Sequence, residues 1–289
     1  MAIETISVGH VEVTALLDGV ADLPDLPITE AFPDAPPEAL LAERERSPGV
    51  YGSDGAWRLH VRAWLVRQPG GDILMDTGVG STVAMDWFPE PGRLLQALAE
   101  AGTVAHRIET VVISHVHDDH VGGTVTTGGE PVFPNARHVI QRTDLDAARA
   151  AGTATDADEE DAAIWRTLLA PLDTAGMFDV VDGDVALTDG LTLHHAPGHT
   201  PGHQVMRIES EGARALLSSD TWNHPAQFAH PDWSSGPDGD PVRAAATRRS
   251  MLAGLLSHPG TIVAPTHFAE AFGRVARGRG GLAAWEPLA

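Results

Sequence analysis

Three imidazoles and two carboxylates fall within six consecutive residues, His115-Val116-His117-Asp118-Asp119-His120. Imidazoles packed this closely repel one another when protonated and gain little unless a cation sits among them. Ring nitrogen and carboxylate oxygen suit zinc and other borderline divalent ions. A catalytic site keeps one position open for water, where a structural one is closed. Whatever completes such a site must be sought elsewhere in the chain.

Upstream, Ile108-Glu109-Thr110-Val111-Val112-Ile113-Ser114 is mostly apolar and β-branched, which predicts a buried strand ending at the first histidine. Downstream, Val121-Gly122-Gly123 offers backbone freedom for a sharp turn into a short helix. His115 and His117 can then aim at one point while Asp119 and His120 turn toward a second. Other strand patterns also end in a candidate ligand. Leu191 to His195 leads into Ala196-Pro197-Gly198-His199, Arg214 to Ser219 ends in Asp220, and Thr261 to Pro265 delivers Thr266 and His267.

With these positions in view, the chain resembles the metallo-β-lactamase superfamily, whose signature is His-x-His-x-Asp-His followed by a later His, Asp and His. The resemblance runs from the first strands to His267. It implies that His115, His117 and His199 hold one metal, that Asp119, His120 and His267 hold the other, and that Asp220 bridges them. Asp76, at the end of Ile73-Leu74-Met75, reads either as a turn former or as an acceptor that orients a ligand imidazole; the resemblance favours the acceptor. Asp118 occupies a variable position of the motif and is expected to be solvated.

After Asp220, the stretches His224-Pro225-Ala226-Gln227, Pro231-Asp232-Trp233, Asp240-Pro241 and Ala246-Thr247-Arg248-Arg249 resemble the methyl parathion hydrolase and acyl-homoserine lactonase branch. That branch holds phosphotriesterases, lactonases and other hydrolases. Its well-described lactonases place a tyrosine three residues after the bridging aspartate, near the substrate carbonyl. Asn223 stands there in this chain, and the only tyrosine is Tyr51. Tyr51 and His224 are therefore the candidate replacements. Trp222 with Phe268, and Trp87 with Phe88, are candidate walls of the substrate pocket.

The expected chemistry is that of a dinuclear metal-dependent hydrolase, cytoplasmic, in which a metal-bridging hydroxide attacks a neutral or hydrophobic ester or lactone. The catalytic carboxylates are Asp119, which keeps a second oxygen to pass a proton to the leaving group, and Asp220. Phosphotriester hydrolysis is the nearest alternative, followed by thioester hydrolysis resembling glyoxalase II and by a metal-binding scaffold without turnover. The oxygen-reducing diiron branch carries Glu where His117 stands, which counts against redox chemistry. Zinc is the default ion, with Mn, Co and Fe compatible with the same donors.

Bulk properties restrict the partners. The formal net charge of -21 argues against an extended phosphate backbone, and no apolar run is long enough to span a membrane. The expected partner is a small molecule, with no nucleic acid and no membrane. Cysteine is absent, which excludes disulfides and thiolate ligation. The N-terminus, Met1 to Val13, alternates like a strand rather than a signal peptide, and together these features favour the cytoplasm.

A single domain over residues 1–289 is expected. Its proline-rich segment 22–57 reads as a packed surface excursion, a cover over the metal cleft, or a homodimer contact. Strands are predicted at Val11 to Leu17, Leu59 to Arg67, Asp72 to Asp76, Arg137 to Gln141, Phe178 to Val181, Leu191 to His195, Gln204 to Ile208, Arg214 to Ser219 and Thr261 to Ala264. Helices are predicted at Gly92 to Ala101, Asp161 to Leu169 and Val242 to Leu256, the second following the acidic run from Asp156. Composition and periodicity reach only a mixed α/β or α+β class. The resemblance implies more, an αβ/βα four-layer sandwich of two facing mixed β-sheets with helices outside.

Overall fold

The computed structural model describes residues 3–80, 88, 90–155 and 158–288. It divides into two compact units, one of Met1–Gly19 with Val61–Val185 and the other of Val20–His60 with Ala186–Ala289. Strands β1 (Glu4–Val8), β2 (Val11–Pro27), β3 (Ala56–Gln68), β4 (Gly71–Met75), β5 (Thr110–Val112), β6 (Arg137–Gln141) and β7 (Phe178–Val181) form one sheet in that spatial order. A second sheet comprises β8 (Val185–Thr188), β9 (Leu191–His195), β10 (Gln204–Ser210), β11 (Ala213–Ser219), β12 (Ile262–Pro265), β13 (Gly273–Arg277) and β14 (Ala283–Pro287), again in sequence order. Both are mixed, and with their helices they make the α+β class expected. Among the described residues, no helix is long and apolar enough to cross a membrane.

The expected single strand before Val13 is instead a hairpin. Gly9, at φ 58°, reverses the chain so that Val8 pairs with Val11, a tight turn open to glycine without strain. The next strand runs well past the predicted end at Leu17. Asp18 does not stop it, because its buried carboxylate accepts from the backbone N–H groups of Val79 (2.8 Å) and Leu94 (2.6 Å). Burial raises its pKa against the lowering effect of these bonds.

In the first unit, β4, β5, β6 and β7 pair in parallel, a pattern that needs crossovers. Helix Leu94–Glu100 lies in the β4–β5 connection, and helix Arg142–Thr153 in the β6–β7 connection. Leu74, Val111, Ile113, Ile140, Leu145 and Leu168 fill the core there. Between β6 and β7 the helix from Glu159 widens at Ile164–Leu169 into a π-helix before resuming at Ala170–Thr174. Pro171 lacks the amide that a regular helix would use at that point.

In the second unit, β11 and β12 are parallel, and the helix Pro241–Ser257 lies in their connection. It starts with Asp240 accepting from Arg243 N at 2.9 Å and with proline at its first position. Its residues Met251 and Leu255 join Val205, Leu216 and Val263 in the core. Segment 22–57 is packed within this unit. Ile28, Phe32, Leu40, Tyr51 and Trp57 are buried, and Arg58 clasps Asp22 through two nitrogens at 2.6 and 3.1 Å.

Candidate metal centre

The first ligand group occupies the loop after β5. His117 precedes a single turn of helix, Asp118–Val121, in which His120 N and Val121 N both bond His117 O. The turn rests on the chain after β4. A Cβ on Gly122 would meet Val79 O at 2.2 Å and one on Gly123 would meet Thr77 O at 2.2 Å. The two glycines therefore serve close backbone approach rather than the sharp turn expected of them. His115, Asp119 and His120 are buried, and His117 is half-buried.

Ring nitrogens converge in this loop. His115 Nε2 lies 3.0 Å from His117 Nδ1, and His120 Nε2 lies 3.5 Å from Asp119 Oδ2. Opposite them, His120 Nδ1 contacts Asp76 Oδ2 at 2.9 Å, and Ser114 donates to the same carboxylate from N and Oγ, each at 2.8 Å. Because the single Ser114 hydroxyl proton is engaged in the hydrogen bond to Asp76, the oxygen is left to accept from His115 Nδ1 at 3.0 Å. Both rings thus carry their proton on Nδ1 and offer the Nε2 lone pair. Asp118 Oδ1 accepts from Asp119 N at 2.8 Å, a local bond at the helix start.

The second ligand group lies on three segments of the second unit. Asp220 follows a register shift in β11 and Ser219 at φ 43°, an unusual backbone for serine. His267 follows β12 and Thr266. Its Nε2 contacts Asp220 Oδ2 at 2.8 Å, and its Nδ1 donates to His60 O at 2.7 Å. His199 Nε2 is 3.4 Å from the same oxygen of Asp220, with Nδ1 at 3.1 Å from Asp238 Oδ1. Burial works against ionisation of Asp238, but the His199 hydrogen bond and the Arg248 guanidinium hold its carboxyl below the usual range.

His203 ties this group together. Its Nε2 accepts from Asp220 N at 3.2 Å, which leaves Nδ1 to donate to Ala196 O at 3.1 Å. Asn223, in the tyrosine position of the lactonases, donates through Nδ2 to Asp220 Oδ2 at 2.9 Å.

The remaining candidates are interior residues. Tyr51 is buried, donates its hydroxyl to Leu40 O at 2.5 Å, and is pushed up in pKa by burial. His224 is buried edge-on to Phe32 and Tyr51 and accepts through Nδ1 from Ala226 N at 3.0 Å; burial pushes its pKa down to about 3. Trp222 stacks on Phe228 at 4.7 Å between ring centroids, and Phe268 packs edge-on to Trp285 at 5.2 Å. Those two expected wall residues are in the aromatic core of the unit. Phe88 is buried, and Trp87 lies outside the described residues.

Residues 56–267 match the family model described as Metallo-beta-lactamase superfamily. The chain belongs to that superfamily. The His-x-His-x-Asp-His signature of the metallo-β-lactamase superfamily occupies the loop after β5. Among curated relatives, an N-acyl homoserine lactonase of Bacillus sp is 28% identical over 174 residues, 55% of this chain and 62% of the lactonase. The match thus spans less than two thirds of that relative. N-acyl homoserine lactonase AttM of Rhizobium radiobacter is 28% identical over 57% of this chain and 66% of its own length. Among solved structures, AidC, described as a dizinc quorum-quenching lactonase, superposes with TM-score 0.82 at 25% identity, covering 100% of this chain and 98% of AidC. The hydrolase AbOPH shares the fold at TM-score 0.83, with 23% identity and coverage of 99% and 97%.

The donor chemistry fits a divalent cation in both groups. Four imidazoles, those of His115, His120, His199 and His267, have Nδ1 against an oxygen while Nε2 faces a further nitrogen or carboxylate oxygen. This outer hydrogen bond is what fixes tautomer and ring angle in metal-ligating histidines. Sequence reasoning missed Asp238 and Arg248. Asp238 lies in Gly236-Pro237-Asp238-Gly239-Asp240, which reads as a turn, and Arg248 falls inside the expected helix as a charged residue, a type that by itself signals the solvent face rather than the buried one.

Proposed function

We propose that the chain is a divalent-metal hydrolase acting on neutral or hydrophobic carboxylic esters, lactones foremost. The observation that carries this reading is the common arrangement of four imidazoles, each with Nδ1 held by an oxygen and Nε2 presented. The lactonase relatives support the substrate class.

His115, His117 and His199 would hold one cation, Asp119, His120 and His267 the other, and Asp220 both; zinc is the proposed ion. A pair of divalent cations supplies Lewis acidity, lowering the pKa of water toward neutrality and polarising a carbonyl. The chain's own part is to orient the donors and to move a proton. Asp119, beside His120, would carry that proton on its outer carboxylate oxygen to the departing alkoxide. Asn223 would keep the Asp220 carboxylate from rotating through its bond to Oδ2.

Separate His117→Ala and Asp220→Ala variants test this, with bound metal measured by elemental analysis and turnover on lactones compared with aryl phosphotriesters. Loss of metal together with at least ~100-fold slower lactone hydrolysis is expected. Full lactone turnover in a metal-free variant sinks the reading. A wild-type preference for phosphotriesters would move the substrate to phosphorus. Metal bound without turnover on either panel would make the chain a scaffold.

A further inference from the structure

The segment from Asp238 to Arg248 grips the His199 loop at four points. Gly239 N donates to His199 O at 3.0 Å, Asp240 N to Gly198 O at 2.8 Å, and Thr247 Oγ1 to Pro197 O at 2.6 Å. The fourth contact is to the ring, from Asp238 Oδ1 to His199 Nδ1 at 3.1 Å. Asp238 is in turn fixed on its other oxygen, by Arg248 Nη1 at 3.0 Å and Ser235 N at 3.1 Å, and Arg248 Nε is anchored on Pro231 O at 2.8 Å.

The Asp238 and Arg248 side chains are 0% and 1% exposed. A buried ion pair of this kind is often no more stabilising than an apolar pair of the same volume, so its presence calls for another role. A carboxylate that accepts from one imidazole nitrogen leaves the lone pair on the other. Arg248 compensates the buried negative charge and prevents the carboxylate from turning away.

We propose that Asp238 and Arg248 are a positioning pair for His199, holding its ring in the Nδ1-protonated tautomer with Nε2 presented to a divalent cation. The inference rests on the reading of His199 as a metal ligand. It extends that reading to two residues that never touch the cation.

The test compares wild type, Asp238→Asn, Arg248→Met and, as control, His199→Ala, with zinc content and affinity measured by chelator competition and the cobalt-substituted absorption spectrum recorded. Asp238→Asn and Arg248→Met should each weaken one of two zinc ions about 10- to 100-fold and leave the other unchanged, with an altered cobalt spectrum. In zinc-loaded wild type, the long-range 1H–15N spectrum should show a protonated Nδ1 on the ring whose signals vanish in His199→Ala. Unchanged zinc affinity in Asp238→Asn, or an Nε2-protonated His199 in wild type, overturns the proposal. If the variants fail to fold, the wild-type spectrum decides alone. If His199→Ala keeps both zinc ions, the metal reading itself fails. If it loses one while Asp238→Asn loses none, only the positioning role fails.

Discussion

The Asp76 carboxylate accepts from His120 Nδ1 at 2.9 Å while its own backbone sits at φ 66°. A left-handed conformation costs a residue with a Cβ about 1 kcal/mol or more. The strain is held because the same carboxylate also takes two hydrogen bonds from Ser114. Asp76→Ala should therefore act twice. Denaturant unfolding of the metal-free protein should show a loss of about 1–3 kcal/mol from stranded donors. Chelator competition should show metal affinity down about 10- to 100-fold. Asp76→Asn, which tolerates this backbone and retains an acceptor, should fall between.

Tyr51→Phe separates structure from catalysis. The hydroxyl is committed to Leu40 O inside the second unit, so its removal should cost roughly 1 kcal/mol of stability. Lactone turnover should stay within about twofold of wild type. A large drop in kcat at unchanged stability would instead give Tyr51 the part played by the lactonase phenol.

Gly198→Ala should be among the most damaging single changes. At φ 135° the backbone is strained for alanine, and the added Cβ would meet Ala244 N at 2.2 Å. Backbone on both sides leaves nothing flexible to yield, so a loss of about 2–3 kcal/mol is expected. Thermal unfolding measures it, and elemental analysis should show less metal, because the clash displaces the loop that carries His199.

His138 predicts an acid-sensitive fold. Buried on β6, its imidazole is pushed from 6.5 down to about 4 by burial, with the Arg137 charge adding to the effect. Between those values the unfolded chain binds a proton that the folded chain refuses. The stability from this group is thus complete above pH 6.5 and is lost as pH falls toward 4, a swing of roughly 3 kcal/mol. Urea unfolding of metal-free wild type and His138→Leu at pH 7 and pH 4 should differ by that swing. Equal pH dependence would remove His138 as its source.

The parts of the fold legible in sequence were those where apolar or β-branched residues run together. Arg137–Gln141, Phe178–Val181 and Leu191–His195 match their predicted bounds. Helix Arg142–Thr153 was not anticipated, because Leu145 and Ala148 are its only buried apolar residues. Strands β13 and β14 escaped for a related reason, being rich in glycine, arginine and alanine rather than in β-branched residues. Within the candidate centre, strand-end histidines and aspartates stood out by type and place. Asp238, Arg248 and the bond from Asn223 to Asp220 did not, since each depends on a side-chain direction that turn-forming and helical sequence leaves open.

One imidazole, His203, joins the amide of Asp220 to the carbonyl of Ala196. It acts as a strut between the end of β11 and the start of the His199 loop, so fluctuations of the two segments are mechanically coupled. The Asp220 amide proton should then exchange with solvent only when the strut opens. Its exchange rate becomes a gauge of how stiffly the Asp220 and His199 segments are tied to each other in the metal-free protein.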